Sequence, residues 1–243
     1  MNLRKLILIK NECYQAGQKI LVRGIMVHST GANNPYLRRY VGPDDGLLGT
    51  NLYGNHWNQP RPDGQQKCVH AFIGKLKDGS IATYQTLPWN HRGWHAGGAA
   101  NNTHIGFEIC EDGLNDPVYF GLVYREAVEL CVYLCRMFSL TEKDIICHSE
   151  GAQLGIASSR ADVMHWFPRH GKDMDTFRAD VGAALAEVTG VQKEKNIPSE
   201  WAKDAWQWAM QEGITDGTNP QGAITREQTV TMLYRFYQLL AKK

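Results

Sequence analysis

Two short apolar runs that each end in a histidine constrain this chain more than any other feature. Gly24-Ile25-Met26-Val27 delivers His28, followed by Ser29-Thr30-Gly31, and Asp144-Ile145-Ile146-Cys147 delivers His148 in the same manner. Runs of this length and composition make buried strands, and sheet proteins tend to place their sites at the carboxyl ends of strands. After His148 a Gly- and Ser-rich loop returns the chain to Arg160-Ala161-Asp162-Val163-Met164-His165. Two strand-end imidazoles and a loop carboxylate form an open zinc site, with three protein ligands and water in the fourth position. Taken singly, a strand-end histidine is more often a packing or surface residue, so the reading needs all three to converge.

The rest of the chain supplies a frame for such a site. Residues 1–20 read as a lead-in strand and a polar turn. Residues 32–67 form a long stretch rich in Asn, Gly, Pro and Tyr, expected to hold a short helix near Leu52–Trp57. A stretch of this length without regular structure is either a wall of a groove or a poorly ordered excursion. "VHAFIG" and "SIATYQTL", separated by Lys77-Asp78-Gly79, predict a hairpin, because Asp-Gly is a strong turn signal. "HIGFEIC" reads as another buried strand. Asp116-Pro117 opens a helix, with Asp as cap and Pro at the first helical position. Its apolar residues Val123, Ala127, Leu130, Leu134 and Phe138 recur at three- and four-residue steps. A second helix is expected from about Asp175 to Val188, with Phe177, Val181, Leu185 and Val188 on one side. These elements predict an α/β fold: a central mixed sheet flanked by helices, with the zinc cleft at the sheet edge.

Polar residues mark a linker over 189–198 (Gln192-Lys193-Glu194-Lys195-Asn196), separating a catalytic domain, 1–188, from a small all-α domain, 199–243. In the tail one helix closes at Gly213, and another opens at Thr225 with Gln228 three residues on, a capping-box pattern. Ordinary helical periodicity makes Trp201, Trp208, Leu233 and Phe236 its core rather than a sugar-binding surface.

The pieces "GIMVHSTGA", "GWHAGG", "NNTHIGFEIC" and "IICHSEG…SRADV" resemble, in that order, the motifs of the type 2 zinc amidases. These are N-acetylmuramoyl-L-alanine amidases, common in phage lysins and related to peptidoglycan recognition proteins. The resemblance spans roughly residues 20 to 188, and four motifs in order are far more specific than one. It implies zinc held by His28, His148 and a third ligand. In the family that ligand is Cys or Asp in a Lys-x-Cys/Asp-Pro-Gly pattern. This chain lacks the Pro-Gly, but the Arg160-to-Asp162 offset matches, which favours Asp162 over His165. A solvated loop acid is the bland alternative for Asp162.

The resemblance also gives Glu108 as catalytic base. On an apolar strand an unpaired carboxylate is costly to bury, and burial raises its pKa towards a useful range while a cation opposes this. An outward-facing Glu108 is the alternative. Arg160 takes the place of the family's Lys, which stabilises charge on the carbonyl oxygen; a surface salt bridge to Glu150 is the competing role. His95 in "GWHAGG" matches a groove-lining position, and His70 on the alternating "CVHAF" strand faces the same cleft or packs. Trp94 stacks on sugar or peptide in the functional reading and packs in the ordinary one.

The tail resembles one S-layer homology repeat, with its "ITDG" turn and "TREQ" helix start. One copy cannot bury its apolar face alone. Self-association or docking onto the catalytic domain is therefore implied, and a secondary cell-wall polymer is the ligand that the resemblance suggests. A formal charge of +1 argues against reliance on long-range attraction to nucleic acid or anionic membrane. The longest N-terminal apolar run, Leu6-Ile7-Leu8-Ile9, is too short for a signal-peptide core. The expectation is a protein made in a cytoplasm that reaches the wall through a separate pore, as phage or prophage lysins do. Without framework spacing or a leader, the six cysteines are expected to be free thiols, with Cys131 and Cys135 packed in the core. Two rivals stand beside an amidase acting on peptidoglycan. One is a non-catalytic peptidoglycan-binding protein of the same fold. The other is a zinc peptidase, which the lack of a His-Glu-x-x-His motif disfavours.

Overall fold

The computed structural model describes residues 1–195, 198–215, 217 and 220–241, with the side chains of 188–195 outside the description. Expectations that fall on the side chains of Val188 and of the 189–197 segment, or on Asp216 of the "ITDG" turn, lie outside the described residues. The chain divides into two compact units, Met1–Gly182 and Ala183–Lys243.

In the first unit, β1 (Leu3–Lys5) and the short helix α1 (Glu12–Ala16) precede β2 (Gly24–Asn33). The predicted hairpin is present as β3 (Ala71–Lys75) and β4 (Ile81–Gln85), turning through Gly79 at φ +86°. Then come β5 (His104–Glu111), α2 (Pro117–Phe138), β6 (Ile145–Cys147), α3 (His148–Gln153) and the start of α4 (Met174–Lys195), whose residues from Ala183 onward fall in the second unit. The six strands form one mixed sheet in the order β1-β4-β3-β5-β2-β6, with β3 and β4 the antiparallel pair. Asp116 caps α2 as expected, accepting from Val118 N–H at 2.9 Å and Tyr119 N–H at 3.1 Å. Among the described residues no helix is long and apolar enough to cross a membrane.

Alternation along the strands gives the sheet two apolar faces. One packs under α2, whose Glu126 accepts the Thr83 hydroxyl of β4 at 2.8 Å. The other carries Phe72, Tyr84 and Cys110, and the irregular segment after β2 covers it. Leu37, Tyr40, Val41, Leu48 and Trp57 are buried there, Tyr40 stacking on Phe72 with centroids 5.1 Å apart. Burial of large side chains such as these stabilises by roughly 1.5–3 kcal/mol each. The long stretch is therefore neither an excursion nor helical near Leu52–Trp57; its short 3-10 turns lie at Leu37–Arg39 and Pro62–Gly64.

Three further expectations are corrected. His28 is not the last residue of its strand, since β2 continues to Asn33 through a register shift after Ser29. Helix α4 does not end near Val188 but continues to Lys195, through the first part of the expected linker. Cys13 and Cys68 are not free thiols: they form a disulfide across 55 residues. Their separation carries no framework signal. Tertiary contacts make the pair, because buried Asn11 beside Cys13 donates to the carbonyls of Trp57 (3.1 Å) and Lys67 (3.0 Å). Cys110, Cys131, Cys135 and Cys147 are free and buried.

The second unit holds α5 (Lys203–Gln211) and α6 (Arg226–Ala241), with Gly213 at φ +69° after the first. The capping box is made: Thr225 N–H donates to Gln228 Oε1 at 2.8 Å and Gln228 N–H to Thr225 Oγ1 at 3.1 Å. The expected core is not. Neither helix buries a residue; Trp201 and Leu233 are exposed, and Trp208 meets Phe236 only edge to face at 6.3 Å. Two short helices have too few facing positions to enclose four large side chains.

Candidate metal centre

Parallel pairing of β2 with β6, Val27 opposite Cys147, sets His28 and His148 side by side. His148 is the first residue of α3. The start of that helix is pinned by Glu150, which accepts the Cys147 N–H at 2.9 Å and pairs with Arg178 of α4 at 3.0 Å. Asp162 returns to the same place because its carbonyl accepts the Ser149 N–H at 3.1 Å. The three predicted ligands converge. His28 Nδ1 lies 3.0 Å from Asp162 Oδ2 and 3.1 Å from His148 Nδ1, and His148 Nδ1 lies 3.5 Å from Asp162 Oδ2. Among the described residues this is the one group of three or more donors so gathered.

The donor set fits a small divalent cation. With metal–nitrogen bonds near 2.0–2.1 Å, donors on a tetrahedron stand about 3.3 Å apart, close to the three separations here. Protons tell the same story. His95 Nε2–H donates to the His104 carbonyl at 3.1 Å, so His95 Nδ1 is an acceptor, and His28 Nε2–H donates to it at 3.0 Å. Burial holds both imidazoles below their ordinary pKa, His95 more strongly because His28 and His70 adjoin it, so both rings are neutral. His28 Nδ1 is then a bare lone pair facing a carboxylate oxygen and a second imidazole. Burial opposes ionisation of Asp162, but the close approach of the His148 and His28 imidazoles overcomes it and holds the carboxyl well below its usual range. A cation among the three atoms resolves this meeting of acceptors. His148 is oriented likewise, its Nε2 lying 3.2 Å from the Ser158 hydroxyl. Outer partners of this kind fix the tautomer of metal-ligating histidines.

Glu108 lies on β5 directly opposite His28 in the register, so the two side chains share a face of the sheet. Its Oε2 is buried and has no hydrogen-bond partner. Burial pushes its pKa well above the usual carboxylate range, the negative charges of Asp162 and Glu111 add to this, and Lys67 opposes it. An unpartnered buried carboxylate with a raised pKa beside a metal-type donor set is what a general base requires.

The other named residues separate. His165 stands outside the gathered donors, its Nε2 lying 2.9 Å from Glu111 Oε1. Arg160 is exposed on an open groove of about 1010 Å³ with Ser149, Gln153, Met164 and His165. It has no ion pair among the described residues, and the alternative partner Glu150 is taken by Arg178. His95 supports His28 rather than lining a groove. His70 is a correction: it is wholly buried, Nε2–H donating to the His91 carbonyl at 2.8 Å and Nδ1 accepting the Gly106 N–H at 3.0 Å, with burial pushing its pKa down to about 4. Strand alternation gives its face but not the loop that closes over it. Trp94 is 38% exposed, in a different groove shared with Glu12, Gln15, Arg61 and Arg92. Sequence reading missed Ser158, the His104 carbonyl and the Glu150–Arg178 clamp; a backbone acceptor leaves no residue-type signal at all.

Gly106 makes room for the support. A Cβ there would fall inside the His95 ring. Gly106→Ala is expected to displace His95, weaken zinc binding by about 10-fold or more, and cost roughly 1–3 kcal/mol as overpacking. Competitive chelator titration and thermal unfolding check the two effects.

A family model described as N-acetylmuramoyl-L-alanine amidase matches residues 17–164, more than half of the chain. Several solved structures share the fold. AmiA, a hydrolase of Staphylococcus aureus solved in complex with its ligand, superposes with a TM-score of 0.55 at 16% identity, covering 78% of this chain and 84% of that one. PlyL gives 0.51 at 17% identity, covering 74% and 96%. A mutant endolysin from Bacillus subtilis gives 0.50 at 22% identity, covering 75% and 99%. No curated protein matches the chain.

Proposed function

The chain belongs to the N-acetylmuramoyl-L-alanine amidase family, and on that premise we propose that it is a zinc-dependent lysin cleaving the amide between N-acetylmuramic acid and L-alanine in bacterial peptidoglycan. The observation that carries the zinc reading is the convergence of His28 Nδ1, His148 Nδ1 and Asp162 Oδ2 within 3.0–3.5 Å. An ion held by these three atoms supplies Lewis acidity to the amide carbonyl and makes water a stronger nucleophile.

The chain's own residues do the rest. Glu108 takes the proton of the attacking water on its free Oε2 and passes it to the departing L-alanine nitrogen. Arg160 faces the groove as a permanent cation and offsets charge growing on the carbonyl oxygen. Neutral His95 and Ser158 keep the two imidazoles presenting Nδ1. The exposed apolar faces of α5 and α6 support a wall-attachment role for the tail, with an S-layer-homology-like mode as its form and a phage or prophage origin for the whole.

Incubation of purified wall with the enzyme, followed by mass spectrometry of the fragments, tests the reading. Intact glycan with a free L-alanine amine is expected, and activity should vanish with a chelator and return with zinc. Cleavage within the stem peptide, or tight wall binding without release of fragments, would refute it.

A further inference from the structure

We propose that the Cys13–Cys68 disulfide is a positioning device for the metal ligand His28, so that reducing the bond loosens the metal centre. The inference rests on the zinc reading above and concerns how this chain holds its site in order.

The path runs through a few residues. Cys68 pairs with Trp94 through two backbone hydrogen bonds, Cys68 N–H to the Trp94 carbonyl and the return bond, each 3.1 Å. Cys68 Sγ also lies 3.1 Å from the Trp94 nitrogen. The next residue is His95, whose Nδ1 accepts the His28 Nε2–H and thereby directs His28 Nδ1 at Asp162 and His148. The His95 loop is also anchored by the Asn101 side chain, which accepts the N–H groups of His95 (2.9 Å) and Ala96 (2.8 Å). The His104 carbonyl and the Ser158 N–H, which donates to the Ala96 carbonyl at 2.8 Å, hold it too, and of these bonds it is the Cys68 pairing that responds to reduction. On its far side the disulfide ties Cys68 to α1, itself clipped by buried Asn11 to the carbonyl of Lys67. Residues 67 and 68 are thus held twice by the same short helix, and they hold the loop that presents His95.

Reduction is chemically open. Cys13 borders the groove of about 440 Å³ that also contains Gln15, Arg61, Arg92 and Trp94, so a small dithiol has a route to the bond. One reductant thiolate attacks Cys13 Sγ, the Cys68 thiolate leaves and takes a proton, and the second reductant thiol then displaces Cys13. Two electrons and two protons pass to the protein, giving two cysteine thiols and an oxidised reductant disulfide. Two thiols cannot stay at bonding distance, and both residues are about 95% buried. In a close-packed interior the separation must be taken up by backbone, and the backbone paired with Cys68 is that of Trp94. Misplacing an outer-sphere partner of a metal-ligating histidine typically weakens metal binding about 10- to 100-fold.

The test uses the full chain stripped of metal, one portion oxidised and one reduced with a trialkylphosphine and desalted under nitrogen. Zinc titration against a chromophoric chelator should give an affinity about 10- to 100-fold weaker for the reduced protein, and Cys13→Ser should match it. Independently of zinc, long-range 1H–15N spectra of the metal-free protein should show a single Nε2–H tautomer of His28 when oxidised and a tautomer mixture when reduced. Far-UV circular dichroism should be unchanged. Equal zinc affinity and an unchanged His28 tautomer in both forms would overturn the proposal. So would global unfolding on reduction, because the bond would then support the whole domain and not the site. Absence of zinc binding in both forms would instead sink the metal reading itself.

Discussion

Asp162→Ala is expected to release the metal and abolish turnover, while His165→Ala leaves metal content intact. The carboxylate is the only charged member of the donor set and the only one not delivered by a sheet strand. Without it two imidazoles remain, one of them anchored through His95. Zinc affinity should fall by more than the roughly 100-fold typical of outer-sphere changes. Turnover should fall by about 10³-fold or more, since acidification of water by the ion is lost with it. His165 serves as control because its Nε2 faces Glu111 and not the donor set. Metal analysis of the purified variants decides: normal zinc in the Asp162 variant together with zinc loss in the His165 variant would exchange the two assignments.

Glu108→Gln should keep zinc and lose turnover by about 10²–10⁴-fold, the range for removing a positioned general base. Two pH effects distinguish this from a packing defect. A base must be deprotonated to act, so wild-type activity should fall as pH drops through a Glu108 pKa that burial holds above the ordinary range, modified by the bound cation. Stability of the metal-free protein should respond with the opposite sign to the usual carboxylate. Because the folded-state pKa is raised above the unfolded value, the protonated form favours folding. Wild type then loses stability as pH rises from the unfolded pKa, near 4.3, through the folded one. The neutral amide of Gln does not, so the variant's Tm should exceed that of wild type at pH 7, with the gap closing at acid pH. Full activity in the variant, or an equal loss of Tm at every pH, would remove Glu108 from the role.

How much of this was legible beforehand depended on where each signal lived. Local signals read well: Asp78-Gly79 for the hairpin, Asp116-Pro117 for the start of α2, Thr225 and Gln228 for the start of α6. The motifs around His28, His148 and Asp162 also singled out three donors that the fold brings together. What failed was non-local. The bond between Cys13 and Cys68 depends on a helix folding back over residues 57–68, and no spacing rule reports that. The segment containing Tyr40 and Trp57 has no periodicity, since its backbone is irregular, yet it covers Phe72, Tyr84 and Cys110 on one sheet face. His70 precedes an apolar strand and His95 lies in a Gly-rich loop, and neither setting reports the role: a loop encloses the first while the second touches His28. The tail failed for another reason. Helical periodicity says which residues share a side, but not whether anything rests against it.

The pairing of Val27 with Cys147 has a kinetic meaning. One donor rides on β2 and a second directly follows its parallel neighbour β6, so their separation is set by peptide ladder spacing, about 4.8 Å, and not by any loop having to find its place. An incoming ion meets a half-built cage that exists before it arrives. Capture of an ion there would be paced by the shedding of its own water shell, with the donor atoms already gathered and no segment of chain left to fold around it.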